Sequence, residues 1–192
     1  ALHTILEVAA RENEAPEAVA AKLGRQLQNS YNATERDGVA IIPVTGPLFR
    51  YANIFTAISG ASSYELIARD FMSALENPQI TSIVLDIDSP GGEVNGVSEL
   101  ASMIFEARGT KPIIAYASGD AASGAYWIAS AADEIVVSET SALGSIGVVG
   151  IYRGKSAKES AETVEIVSSQ SPYKRLDPVS YTHLRAHETR HD

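Results

Sequence analysis

Apolar positions along the chain fall into short blocks with two periods. Leu2, Ile5, Leu6 and Ala9, then Val19, Leu23 and Leu27, recur at helical spacing and predict a helical arm over residues 1–30, interrupted at Pro16. Asn29 to Gly38 reads as a polar linker. Val39–Val44 (VAIIPV) is a β-rich run closed by Thr45-Gly46-Pro47. A helix is predicted from Ser62, with Glu65 completing a capping box, Ile67, Phe71 and Leu75 on its inner face, and Asn77-Pro78 ending it. Ile80–Asp88 (ITSIVLDID) reads as a strand buried at the centre of a parallel sheet. A tight turn, Ser89-Pro90-Gly91-Gly92, leads to a helix marked by Val94, Val97, Ala101, Ile104 and Phe105 and capped by Gly109.

Further along, Ile113–Ala117 and Glu134–Ser138 read as strands on either side of a small-residue helix, Ala121–Ala132 (AASGAYWIASAA). Leu143–Val149 is a glycine-punctuated strand or turn, Ser156–Ala161 a polar helix and Thr163–Ser168 a last strand. Strand and helix alternate, which predicts an α/β domain with a mainly parallel sheet flanked by helices and right-handed crossovers. Val179 to Asp192 (VSYTHLRAHETRHD) breaks the pattern. It resembles the translation of a transposon-based sequencing adapter, which would make it non-native and the domain truncated near Pro178. The expected organisation is an arm and linker over 1–37, one domain over 38–178, and this tail over 179–192.

Composition narrows the chemistry. The chain has 192 residues, a net charge of −9 and no cysteine. That excludes a thiol nucleophile and a thiolate metal site, and the acidic balance argues against a nucleic-acid surface. No run of about 18 apolar residues predicts a membrane span, and no leader is evident at the start. The histidines are His3, His183, His187 and His191, so residues 4–182 hold none. A Ser-His-Asp triad inside the domain is thereby excluded, as is a histidine-rich zinc site.

Two local features could carry a reaction. Ser123, in Gly119–Tyr126 (GDAASGAY), stands between a predicted strand and a predicted helix, where free N–H groups stabilise an oxyanion. It could equally be an ordinary helix-start serine. Gly91-Gly92 follows a central strand and could aim N–H groups at a ligand, or simply make a tight turn. Without histidine, a serine nucleophile needs a neutral lysine as base. Lys22 lies in the arm, and Lys111 lies at the wrong end of its strand, which leaves Lys155, Lys158 and Lys174. Lys174, beside Arg175, follows the last predicted strand.

Four ordered motifs extend this reading: VAIIPVTG from Val39, LDIDSPGGEV from Leu85, AASGAYWIASAAD from Ala121 and GSIGV from Gly144. Together they resemble the signal peptide peptidase A and phage prohead protease family over about Gly38 to Pro178, with wording most similar to the phage branch. The resemblance implies a Clp-protease/crotonase-like fold and a Ser-Lys dyad, with Ser123 as nucleophile and Lys174, 51 residues on, as base. It implies Gly92 and Gly124 N–H groups as oxyanion hole, Gly91 at the substrate strand, and Ser145 orienting the lysine. The segment before Lys174 reads SSQSPY, without the family's usual glycine.

No metal and no cofactor are implied. The expected substrate is a polypeptide, either scaffold and capsid proteins or signal peptides. The expected assembly is a homo-oligomer, in which a neighbouring subunit can supply the lysine. The expected place is the host cytoplasm or the phage prohead, or a membrane surface if an anchor lies upstream. The competing classes are a crotonase-like acyl-CoA enzyme and a catalytically silent head-assembly scaffold.

Overall fold

The structure is a computed structural model, and it describes residues 29, 31–53, 56–57, 60–153, 163–172 and 174. The predicted arm, the 156–161 helix and the tail from Val179 lie outside the described residues. The chain divides into two compact units, Ala1–Gly144 and Ser145–Asp192.

The first unit is built on one sheet. Strands β1 (Thr34–Arg36) and β2 (Val39–Thr45) form an antiparallel hairpin. Its two-residue tip, Asp37-Gly38, has positive φ at both positions, the turn whose twist suits a hairpin. β2 then pairs in parallel with β5 (Ser82–Ser89), β5 with β6 (Ile113–Ala122), and β6 with β7 (Glu134–Val137) and β8 (Leu143–Gly144). A short parallel pair, β3 (Leu48–Phe49) and β4 (Ser62–Ser63), lies off the main sheet. The expected α/β architecture with a mainly parallel sheet is thus present.

Register explains the core. Ala40, Ile42 and Val44 pair with Ile83, Leu85 and Ile87, which pair with Ile113, Ala115 and Ala117. All nine are buried on one face and share a cluster with residues from helices α1 (Tyr64–Glu76), α2 (Val97–Glu106) and α3 (Gly124–Ser130). The central strand was expected to be buried on both faces. Instead Ser82, Val84 and Asp86 of β5 are only half-buried and Asp88 is exposed, because the helices cover the opposite face.

Helix boundaries also differ from the sequence reading. α1 is capped by Ser63, whose Oγ accepts from Leu66 N–H at 3.3 Å. Ser62 instead exchanges hydrogen bonds with the Thr45 backbone, which draws it into β4. α2 starts three residues later than Val94, after a left-handed Gly96, and its C-cap is Ala107 rather than Gly109. The expected helix from Ala121 begins only at Gly124, because Ala121 and Ala122 still pair with Ser89, Leu143 and Gly144 as strand. Lys111, set aside as a base, reaches back to cap α1, donating to the Ala74 and Asn77 carbonyls at 2.9 and 2.6 Å.

The second unit contains an antiparallel hairpin of β9 (Val149–Arg153) and β10 (Thr163–Val167). The predicted strand over Leu143–Val149 is therefore divided between the two units, with positive φ at Ser145 and Gly147 between β8 and β9.

The first unit depends on its apolar face. Phe71, 0% exposed on α1, is among the largest side chains buried there. Phe71→Ala is expected to cost about 3–5 kcal/mol in urea unfolding, the usual range for a buried phenylalanine left as a cavity.

Candidate active site

The site in the first unit forms where three turns meet. β6 does not run straight: its register with β5 shifts between Ile87 and Ser89, with Ile87 opposite Ala117 but Ser89 opposite Ala121. The extra residues bulge, and the Asp120 N–H is taken by Asp88 Oδ1 at 3.2 Å. The end of β6 is fixed on its other side too, since Ala121 N–H donates to Ala142 O at 2.9 Å and Ser123 N–H to Gly144 O at 2.7 Å.

Ser123 is thus clamped at the point where strand becomes helix. Its backbone has φ 55° and ψ −120°, a conformation costly for any residue with a Cβ. Its carbonyl accepts the first helical bond, from Trp127 N–H at 3.0 Å, while its hydroxyl does not cap the helix. A serine in a sharp, strained strand-to-helix turn projects its Oγ away from the backbone on either side.

The Gly91-Gly92 turn lies directly against it. A Cβ at Gly91 (φ +90°) would sit 2.7 Å from Ser123 Cβ and 2.8 Å from Gly124 N, so only glycine permits this approach. The turn is anchored from below by Ser89, whose buried Oγ donates to Gly46 O at 2.6 Å and accepts from Gly91 N–H at 3.1 Å. Leu48 N–H donates to Gly91 O at 3.0 Å and Leu48 O accepts from Glu93 N–H at 2.9 Å. Because Gly91 and Glu93 both turn towards Leu48, the intervening Gly92 N–H turns the other way. Gly91, Gly92, Ser123 and Gly124 are therefore brought together, all within the first unit.

The second unit holds the other two predicted residues. Lys174 Nζ donates to the carbonyls of Ser145 and Gly147, each at 2.6 Å. Ser145 thus meets the lysine through its main chain. Burial lowers the Lys174 pKa from the ordinary amine value, although two carbonyl acceptors alone would favour the charged form. An uncharged amine has two N–H bonds and one lone pair. The Ser145 and Gly147 carbonyls can take both hydrogens of such an amine.

Two residues escaped the sequence reading. Ser89 looked like a turn residue, yet it is the buried bracket of the glycine turn. Gly147 stood inside the quoted GSIGV motif but was given no role, and its carbonyl receives the Lys174 amine.

Residues 59–172 match the family model described as NfeD1b, N-terminal domain. The chain belongs to this family. It is also 33% identical over 156 residues to the head-tail preconnector protein GP5 of Enterobacteria phage P21, covering 81% of this chain and 31% of that one. It is 33% identical over 148 residues to the capsid assembly protease C of Escherichia phage lambda, covering 77% of this chain and 34% of that one. Among solved structures it resembles a mutant of the 1510-N membrane-bound stomatin-specific protease, with 17% identity, a TM-score of 0.49, and coverage of 73% of this chain and 59% of that one. The expected relationship to signal peptide peptidase A and phage proteases is borne out by the two phage relatives and by further relatives named Protease 4. The chain spans about a third of the length of the two phage relatives.

The strain at Ser123 can be measured apart from any reaction. Glycine relieves a strain of about 1–3 kcal/mol at such a position, against an entropic cost of about 0.5–1 kcal/mol. Ser123→Gly is expected to be more stable than Ser123→Ala by roughly 1–2 kcal/mol in urea unfolding; a glycine variant less stable than the alanine variant by about 0.5–1 kcal/mol would show the turn to be unstrained.

Proposed function

We propose that this chain is the catalytic core of a serine endopeptidase using Ser123 as nucleophile and Lys174 as general base, and that the whole protein matures phage heads by cleaving scaffold or capsid proteins. The observation that carries the reading is the strained Ser123 turn set against the Gly91-Gly92 turn. An outlier of this kind persists where the surrounding fold over-determines it, and such outliers concentrate at active sites. The names of the phage relatives, a capsid assembly protease and a head-tail preconnector protein, support the substrate class.

In this reading neutral Lys174 takes the Ser123 proton as Oγ attacks a peptide carbonyl carbon. The negative charge that develops on the carbonyl oxygen is met by the Gly92 and Gly124 N–H groups. A donor of that kind is worth about 10²–10³ in rate where it has been removed from other enzymes. The lysine then passes its proton to the leaving amine. Water, deprotonated by the same lysine, releases the acyl-enzyme and restores the serine. Gly91 borders the groove for an extended substrate strand. Ser145 and Gly147 orient the base through their carbonyls. The working form is a homo-oligomer located in the prohead. Among the described residues, no helix is long and apolar enough to cross a membrane.

Ser123→Ala and Lys174→Met in the full-length gene are each expected to abolish cleavage of the head proteins, read by gel analysis of assembled particles. Because the base must be uncharged, the rate should rise with pH through a lysine pKa lowered by burial. Lys174→Arg, which keeps its charge, should stay inactive at every pH tested. Normal processing by Ser123→Ala would overturn the reading in favour of a scaffold.

A further inference from the structure

We propose that Tyr64 is a positioning residue for acyl transfer: its hydroxyl, by donating to the Glu93 carbonyl, holds the glycine turn so that the Gly92 N–H stays directed at the region of the Gly124 N–H. The inference rests on the peptidase reading above and adds a residue to it.

The geometry comes from the first unit alone. Tyr64 is the first residue of α1, placed by the Ser63 cap, and is only 3% exposed. Its Oη donates to Glu93 O at 2.8 Å. The same Oη lies 3.2 Å from where a Cβ on Gly124 would stand, and Gly92 N lies 3.7 Å from that point. Its ring touches the other end of the segment, with Cδ2 3.0 Å from a Cβ position on Gly96. One side chain therefore supports the glycine turn, the loop leading to α2 and the first residue of α3.

The other restraints leave a gap that Tyr64 fills. Ser89 holds Gly91 from the strand side. Leu48 holds Gly91 and Glu93 through the backbone. The Glu93 carboxylate accepts from Arg50 N–H at 2.8 Å, drawing that side chain towards β3. The Glu93 carbonyl points elsewhere, and the phenol receives it. Burial first, and the negative charge of Glu93 second, push the Tyr64 pKa far above its ordinary value, so the hydroxyl remains a donor throughout the working pH range.

A residue that holds an oxyanion donor in place affects the transition state more than the bound substrate. Tyr64→Phe keeps the ring and removes the donor. With fluorescent casein as substrate for the full chain, it is expected to lower kcat by about tenfold while KM stays within twofold, and 4-aminophenylalanine at position 64, which restores a donor, should recover most of the rate. Tyr116→Phe, on the opposite sheet face, serves as the unchanged control.

A second readout needs no turnover. Amide exchange at Leu48 and Glu93, whose N–H groups hold the turn, should quicken by about tenfold in Tyr64→Phe while Phe71 and Ile104 amides are unaffected. Unchanged kcat with unchanged exchange overturns the inference. A rise in KM matching the fall in kcat/KM, or a loss of thermal stability with kcat preserved, also overturns it, since either would make Tyr64 structural only. Ser123→Ala separates this from the parent reading: if that variant retains activity the peptidase reading fails, and if it is inactive while Tyr64→Phe matches the unaltered chain, only the inference fails.

Discussion

The first unit is organised by one backbone reversal. β6 is tied to β5 and β7 on its flanks and to β8 near its end, and α3 must begin at once because its apolar residues Ala125, Ile128 and Ala129 are fully buried. No residue is left over to make a relaxed connection. The whole change of direction falls on Ser123, which accepts φ 55° as the result. The Ser123 N–H and carbonyl are both held by main-chain groups, Gly144 O and Trp127 N–H, so the backbone itself enforces much of the strain.

The same economy governs the glycine turn. Two strands, β2 and β5, end side by side, and the residues after them are cross-linked: Gly46 N–H donates to Asp88 O at 2.8 Å, and Ser89 Oγ joins Gly46 O to Gly91 N–H. The C-terminal edge of a parallel sheet is where such loops converge, and ligands of open α/β sheets bind there. The buried Ser89 Oγ both donates and accepts here, which gives the glycine turn a defined position.

Much of this was legible beforehand, for identifiable reasons. The strands VAIIPV and ITSIVLDID were plain because β-rich apolar runs bounded by turn residues have few other readings. The absence of histidine between 4 and 182 leaves lysine as the natural base for a serine nucleophile. The start of α3 was misjudged because alanine suits strand and helix equally at 121 and 122, and β8, a two-residue partner far along the chain, decided between them. The cap of α1 was displaced by one residue because Ser62 and Ser63 offer the same hydroxyl, and only the Thr45 contact distinguishes them. Tyr64 was invisible for a different reason: its value depends on a carbonyl 29 residues away, and no local pattern encodes that meeting.

One rim of the sheet has a consequence for how copies of this molecule can meet. β1 is three residues long, fully exposed, and reads Thr-Glu-Arg, with Asp37 following. A short, charged border strand discourages a neighbour from extending the sheet by backbone pairing. Copies of this unit at high local density are thus protected on this border from fibrous stacking.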